Sequence, residues 1–497
     1  MKNKKGKNRL SKAYKFLNRN DTKVEIISLL SLIVFSSIVF YILKNWDMVV
    51  RILNARHMFY SGYYYEPMRA VFESFVIGLF SFISKPYAVY LFIAFVSLVF
   101  FLSVWYFTRG FKLDFALLFM FVLSPFVLYY GIKNGSDLLV IAFIIFYAAA
   151  IIKKKPIFAG FFLALAFLSK SYALIFAPLL LFLLWDKKRA GIVNFLMSIA
   201  IAFISLIPYF IYNLMEYGNL FYSIAMSYLY FHIFSSYISF SLSISHFESI
   251  PLVGFIEIVF PFTLIVLFYF RDKKQFYLKI MRNKRIYSIL SAAVFLSFLV
   301  YFSTSNLMRI TGLSIFRFML PLSIFSYIIA FSFMQKKDMK FVYPVFAISL
   351  ILAVIILYLS IPSAMPTHSI KAGVSLFNSF YSGKCTVSSN EWVYLDYSGL
   401  YAVPPLSYIN NYTGTILNFG PANTTLPLVK REGDIYLYGY KNCSFYPSIN
   451  ESRVYEVIHE ENISTNPCYW LFGIKPRIIQ FYSACNSINF GLLKALK

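Results

Sequence analysis

Charged side chains are scarce in this chain. Only 13% of its 497 residues are Asp, Glu, Lys or Arg, whereas 59% are hydrophobic, and the mean hydropathy is +0.67. A typical soluble protein carries about twice that share of charge. The scarcity excludes an ordinary soluble protein and indicates a polytopic α-helical membrane protein.

Acidic residues are rarer than basic ones, and the imbalance is local. The chain has 46 Lys and Arg against 21 Asp and Glu, a net charge of +25. From residue 362 onward the counts are nearly equal, ten basic against eight acidic, so the excess belongs to the apolar part. No soluble basic face is visible, which argues against nucleic-acid binding. The positive charge instead reports membrane topology.

The first apolar run, residues 26–43, lacks a small-residue cleavage site and is long enough to span a bilayer. We therefore predict a basic cytoplasmic amino terminus (1–24), a membrane domain of about eleven spans (25–361) and a carboxy-terminal domain (362–497). The dense basic clusters all fall on one side in this arrangement: Arg109/Lys112, 153–155, 187–189, 271–285 and Lys336/Lys337/Lys340. The positive-inside rule then puts residues 362–497 outside.

Cysteine is almost absent, and none occurs before residue 362. The four cysteines are Cys385, Cys443, Cys468 and Cys485. No Cys-x-x-Cys pair exists, which argues against a structural zinc site, whereas an even number in one segment indicates disulfides. The same segment has five glycosylation sequons, at Asn411, Asn423, Asn442, Asn450 and Asn462. Both features predict an oxidising, extracytoplasmic compartment.

Residues 362–497 show the pattern of a small mixed α/β domain. Helical spacing covers 371–381, and the runs at 385–388, 392–395, 436–440 and 453–458 predict strands separated by Asn, Pro and Gly turns. We find no catalytic spacing within it.

The segments predicted to face outward carry the candidate chemistry. Asp47 follows the first span, and Glu66 and Arg69 lie further along the same connection. Carboxylates accept protons from hydroxyls, and guanidinium groups hold phosphates through two hydrogen bonds. The alternative interpretation is a solvated loop with interfacial tyrosines.

Three further charges lie at the mouths of later spans. Asp137 precedes the fourth span, Lys170 divides an apolar stretch into two short pieces, and Arg317 precedes a late span. A lysine between two half-spans directs its ammonium group to the interface, where a lipid phosphate would lie. Snorkelling to the head groups is the alternative for Lys170.

The order and sidedness of Asp47, Ser136-Asp137, Ser169-Lys170 and Arg317-Phe318 resemble the GT-C superfamily of polyprenyl-phosphate-sugar-dependent glycosyltransferases, such as the protein O-mannosyltransferases and the lipid A aminoarabinose transferases. The resemblance implies that Asp47 is catalytic, that Asp137 is the second acid, and that Lys170 and Arg317 lie at the donor. Two departures weaken transfer of a whole oligosaccharide: Met48 follows Asp47 where an acidic pair is usual, and residues 392–399 lack the Trp-Trp-Asp-Tyr-Gly motif. Transfer of a single sugar is preferred.

The chemistry also follows from the residues themselves. A sugar bound through phosphate to an isoprenoid needs its phosphate neutralised and its acceptor hydroxyl deprotonated. We assign Lys170, Arg317 and Arg69 to the phosphate, Asp47 to the base, and Glu66 or Asp137 to orienting base or acceptor. A single displacement inverts the anomeric centre.

The expected partners are a lipid-linked sugar donor and a glycan, lipid or protein acceptor, with no nucleic acid. No cofactor is assigned, and a divalent ion held by the acids stays open. An archaeal cell membrane is favoured over an ER membrane. The rival functions are a secondary transporter, for which we find no internal repeat, and a non-catalytic cell-surface assembly protein.

Overall fold

The fold is described from a computed structural model, which covers residues 20–60, 69–111, 127, 136–186, 189–217, 220, 223, 249–307, 319–333, 342–361, 364–381, 385–403, 415–422, 424 and 426–440. The helices before residue 361 are α1 (Asn20–Leu43), α2 (Trp46–Tyr60), α3 (Val71–Ile83), α4 (Ala88–Gly110), α5 (Ser136–Ile152), α6 (Pro156–Ser169), a 3₁₀ helix (Ser171–Asp186), α7 (Arg189–Tyr217), α8 (Ser249–Arg271), α9 (Lys273–Arg282), α10 (Lys284–Leu307), α11 (Leu320–Ser332) and α12 (Val342–Ser360).

Three helical segments within these ranges are long and apolar enough to cross a membrane: Glu25–Leu43, Ala88–Thr108 and Arg189–Met215. Helices α9 and α10, which meet at 95°, would add a fourth if they formed one broken span. The shorter apolar helices α5, α6 and α11 have 17, 14 and 13 residues. The chain is therefore a helical membrane protein, while the full count of eleven spans stays a prediction.

The connection after the first span is helical, so the solvated-loop interpretation of residues 46–60 is wrong. Helix α1 ends where Lys44 adopts a left-handed conformation (φ 40°), and α2 begins at Trp46. Helix α3 packs on α2 at Gly78, where an added Cβ would collide with the Phe59 ring. Eight consecutive residues of α2, from Met48 to Ala55, are buried because α2 is covered by neighbours on more than one side.

A second close approach joins α6 to α7. A Cβ at Gly160 would collide with the Ser198 carbonyl, and the Ser198 hydroxyl donates to the Pro156 carbonyl at 3.0 Å. Small residues at such crossings allow helix backbones to pack closely without a hydrophobic driving force. This packing holds the beginning of α6 against α7, and Lys170 follows the other end of α6.

A five-stranded mixed sheet follows the helices, in the order β2-β1-β3-β5-β4. Its strands are β1 (Thr386–Ser388), β2 (Tyr401–Val403), β3 (Thr415–Phe419), β4 (Leu428–Glu432) and β5 (Ile435–Tyr438). Strand β1 is parallel to β2 and β3, whereas β5 is antiparallel to β3 and β4. Helices α13 (Thr367–Phe380) and α14 (Trp392–Tyr397) accompany the sheet.

The strand predicted at 392–395 is wrong, because these residues form α14. All four are buried, and a short buried apolar run has no periodicity that distinguishes a strand from a helix. Parallel pairing of β1 with β2 requires a crossover, and α14 lies in it. The other predicted elements fall on α13, β1 and β5, while the strand predicted at 453–458 lies outside the described residues.

The sheet shares a core with α2. Val49, Val50 and Leu53 of α2 belong to the same buried cluster as residues of α13, α14 and the strands. The Met365 amide donates to the Leu43 carbonyl at 2.9 Å, which ties the chain after α12 to the end of α1. The sheet therefore lies at the same end of the helical part as Asp47.

Candidate functional site

Asp47 lies in the first turn of α2, where a carboxylate is stabilised by the helix dipole. Its side chain is partly exposed, and its Oδ1 lies 2.7 Å from the Arg69 guanidinium, which donates to it. Arg69 comes just before α3, so the packing of α3 on α2 places the arginine over the start of α2. The site thus contains a solvent-accessible carboxylate already held by a cation.

Arg51, one turn after Asp47, connects this pair to α3. The Arg51 guanidinium donates to the Asp47 carbonyl at 3.1 Å, and its Nε lies 3.9 Å from Oε2 of Glu73. Glu73 is fully buried in the first turn of α3. At 13 residues, about 20 Å, α3 is too short to cross the hydrocarbon core. Burial raises the pKa of Glu73 to about 7, and Arg51 opposes part of that rise.

A second ion pair joins two other helix ends. Asp137, in the first turn of α5, is completely buried and accepts a hydrogen bond from the Lys170 ammonium. Lys170 follows the last turn of α6 in an extended conformation, directly before the 3₁₀ helix. The Lys170 and Asp137 charges both act on Glu73, with opposite signs. Arg51, which donates to the Asp47 carbonyl and lies beside Glu73, connects the Asp47–Arg69 pair to these charges, and we call the whole group the charge cluster.

The charge cluster contains three carboxylates and three cations: Asp47, Glu73, Asp137, Arg51, Arg69 and Lys170. Within the described part of the chain, both Glu73 carboxylate oxygens and the second Asp137 oxygen accept no hydrogen bond. Unsatisfied buried carboxylate oxygens are costly, which makes them candidates for a proton or a ligand. No group of three or more His, Cys, Asp or Glu side chains suited to a metal ion occurs among the described residues.

Helix α14 packs directly behind the start of α2. The Trp46 ring, next to Asp47, meets the Trp392 and Tyr394 rings edge-on, with centroids 5.7 and 5.2 Å away. At the other end of α2, the Arg56 guanidinium lies 5.1 Å from the Tyr397 ring centroid. Such contacts stabilise the pairing beyond the buried area itself. The backbone that carries Asp47 is therefore supported by the sheet region.

Two partly buried acidic residues, Asp396 in α14 and Glu391 just before it, lie at the helix that packs against α2. Burial raises the pKa of Asp396 to about 7, an effect that the Arg56 charge partly offsets. Burial likewise raises the pKa of Glu391, just before α14, to about 7. Both carboxyl groups therefore hold a proton more readily than an exposed acid does.

The remaining predicted site residues fall outside the described residues: Glu66, Arg317, Cys443, Cys468, Cys485, Asn411, Asn423, Asn442, Asn450 and Asn462. Cys385 is buried and disulfide-bonded. Of the predicted donor and acid residues, the structure brings together Arg69 with Asp47 and Lys170 with Asp137.

Sequence reasoning assigned no role to Arg51 or Glu73. Their signal was available, because Glu73 is an acid inside the apolar stretch Val71–Ile83 and Arg51 follows Asp47 by one helical turn. The pairing could not be read from the sequence, since it depends on the packing of α3 against α2.

Comparison with known proteins gives one positive result. Residues 64–271, which include Arg69, Glu73, Asp137 and Lys170, match the family model of Glycosyltransferase family 87, a GT-C-type membrane family. None of the curated proteins compared with the chain matches it. The solved structures likewise give no match. Together with its apolar helices, the family match identifies the protein as a membrane glycosyltransferase.

Proposed function

We propose that the protein transfers a single sugar from a polyprenyl-phosphate donor to an acceptor hydroxyl, on the extracytoplasmic face and with inversion. The observation that carries the proposal is the Asp47–Arg69 ion pair, which lies in one charge cluster with Asp137 and Lys170. It combines an accessible carboxylate with cations at the ends of apolar helices, where a lipid-borne phosphate can reach them.

The donor is a phosphodiester with one negative charge. On binding it competes with the carboxylates for Arg69 and Lys170, and Arg317 is the further cation that we assign to it. Once Arg69 turns to the phosphate, the Asp47 carboxylate loses the stabilisation of this cation and becomes more basic toward the acceptor. Donor binding thereby prepares the base, because an ion-paired carboxylate accepts a proton less readily than a released one.

The transfer is a single displacement. The acceptor oxygen forms a bond to the anomeric carbon while the bond from that carbon to the phosphate oxygen breaks, and the acceptor proton passes to Asp47. The polyprenyl phosphate leaves as a monoester with one additional negative charge, which the cations stabilise. Attack opposite the leaving group inverts the anomeric centre.

With three carboxylates and three cations the charge cluster has no net charge, so binding the donor would add one uncompensated negative charge. Glu73, with a pKa raised to about 7 by burial, can take up a proton at neutral pH. A neutral Glu73 leaves the charge cluster with one excess positive charge, which matches a phosphodiester. Glu73 then positions Arg51 and sets the charge of the site without touching the reacting atoms.

Replacement of Asp47 by Asn tests the base. The variant keeps the size of the side chain and removes its proton-accepting charge, so turnover should fall by about 10²–10⁴-fold. Donor binding should persist or strengthen, because Arg69 loses a competing carboxylate. Asp434→Asn on the exposed β4–β5 turn is the matched control and should retain full activity. An Asp47→Asn protein that inserts normally and transfers at the wild-type rate would remove the base assignment.

A further inference from the structure

Helix α9 is unlike the other helices of the membrane part. It has ten residues, none of them buried, and it meets the following α10 at 95°. Its beginning is fixed by Asp272, whose side chain accepts a hydrogen bond from the Gln275 amide at 2.9 Å. Helices α9 and α10 qualify as a membrane span only as a bent pair. With the 24-residue, mainly apolar α10 taken as the part of this pair that crosses the membrane, a helix at a right angle to it runs along the membrane surface.

One face of α9 holds it against the bundle. The Phe276 ring stacks on the Phe333 ring, with centroids 4.3 Å apart, and Ile280, one turn later, contacts the same small cluster. Lys279 donates to the Ser332 carbonyl at the end of α11. The orientation of α9 is therefore set by packing.

A second face of α9 is apolar and exposed. Tyr277, Leu278 and Met281 are 56%, 45% and 68% exposed. At about 100° per residue these three side chains span about one third of the helix circumference, rotated away from the face that contacts the bundle. The third face carries Gln275 and Arg282 and is polar.

The segment is also strongly basic. Between residues 271 and 285, seven residues are Lys or Arg and one is acidic: Arg271, Lys273, Lys274, Lys279, Arg282, Lys284, Arg285 and Asp272. Lys274 and Arg282 are exposed. Lys274 lies one turn before Leu278, at the amino-terminal end of the apolar face, and Arg282 lies at the border of that face. An apolar face bordered by basic side chains complements a membrane surface that contains anionic lipid.

We propose that α9 is an interfacial helix that docks on anionic lipid at the end of α8 and α10. Tyr277, Leu278 and Met281 enter the boundary between head groups and acyl chains, while Lys274 and Arg282 bind lipid phosphates. The three faces of α9 then meet the bundle, the lipid and water. This contact would anchor the side of the protein opposite to the charge cluster.

Membrane depth can be measured on the full chain in vesicles. A nitroxide attached to the Met281→Cys variant should be accessible to oxygen and protected from a water-soluble nickel relaxant. A nitroxide on the Lys430→Cys variant, at the exposed strand β4, is the control and should show the reverse. The signal of the unmodified chain is subtracted from both. Equal exposure of the two labels to the nickel reagent would overturn the proposal.

Lipid preference tests the charge. Vesicles of phosphatidylcholine containing fluorescent phosphatidylglycerol would report energy transfer from a fluorophore attached to the Met281→Cys variant. The pair Lys274→Gln and Arg282→Gln should lower the preference for phosphatidylglycerol by roughly fivefold per charge removed. The pair Lys430→Gln and Arg431→Gln should leave it unchanged. An unaltered preference in the first pair, or its loss on adding inorganic phosphate, would contradict lipid docking.

Discussion

The buried charges of the site depend on their partners, so a single substitution can leave the opposite charge unpaired. Asp137 is completely buried, and the Lys170 ammonium is its partner. Removing only Lys170 would leave a buried carboxylate unpaired, which costs about 3–5 kcal/mol. Loss of activity in Lys170→Met would therefore not separate misfolding from lost donor binding, and Lys170 has to be tested together with Asp137.

The double variant Lys170→Met/Asp137→Leu should fold and should bind the polyprenyl-phosphate donor about ten- to hundredfold more weakly, because one charged hydrogen bond to phosphate is lost. Lys155→Met, at the exposed connection between α5 and α6, is the control. Donor titration and thermal denaturation would separate binding from folding. Wild-type donor affinity in a folded double variant would contradict the phosphate assignment.

Glu73 gives the site its expected pH dependence. Its carboxyl group is protonated below a pKa of about 7, which removes one negative charge from the site that we propose for the donor phosphate. Donor affinity should therefore be high below that pKa and fall as the pH rises through it. In Glu73→Gln the side chain stays neutral, and the affinity should remain high across this range. Glu432→Gln, exposed on β4, should keep the wild-type profile; an unchanged pH profile in Glu73→Gln would exclude Glu73 as its origin.

Elements of the fold act on the site through α2. Helix α14 contacts the first turn of α2 through the Trp392 and Tyr394 rings, so the position of Asp47 depends on an element far away in sequence. Trp392 is almost fully buried. Its removal would open a cavity at the point where α14 supports α2, which affects both stability and the placement of Asp47.

Replacing Trp392 by Ala should destabilise the protein by about 3–5 kcal/mol, the usual range for a buried tryptophan. Turnover should fall more than donor affinity, because Arg69 and Lys170, which we assign to the donor phosphate, are carried by elements other than α2. Trp185→Ala, at a half-exposed position of the 3₁₀ helix, is the matched control and should cost much less. The measurements are thermal denaturation and steady-state kinetics; a fully stable and active Trp392→Ala protein would argue against support of α2 by α14.

The whole molecule places its sheet and its charge cluster at the same end. The hydrogen bond from the Met365 amide to the Leu43 carbonyl and the shared core with α2 hold the sheet there. The basic connections would then lie at the opposite membrane surface, as the positive-inside rule requires.

Topology can be checked with a membrane-impermeant maleimide on intact cells. The Lys430→Cys variant, changed on β4, should be labelled from outside, whereas the Lys155→Cys variant, changed between α5 and α6, should react only after the membrane is permeabilised. The unmodified chain controls for native thiols, of which Cys385 is disulfide-bonded. Labelling of Lys155→Cys and protection of Lys430→Cys in intact cells would reverse the orientation.

The sequence by itself determined the class of protein, most helices and the candidate charges. Low charge and long apolar runs have only one stable environment, a bilayer, so composition sufficed. Asp47, Arg69, Asp137 and Lys170 were predicted because charges beside apolar spans are costly unless they have a function.

Only the tertiary structure decided how those charges pair. Glu73 and Arg51 join the charge cluster because α3 packs on α2, and α14 supports Asp47 because the sheet shares a core with α2. Residues 392–395 could not be recognised as a helix from the sequence, because all four are buried and a run that is buried on all sides has no hydrophobic periodicity. Which helices contact each other, when they are far apart in the sequence, depends on how the whole chain packs, and no local sequence pattern encodes it.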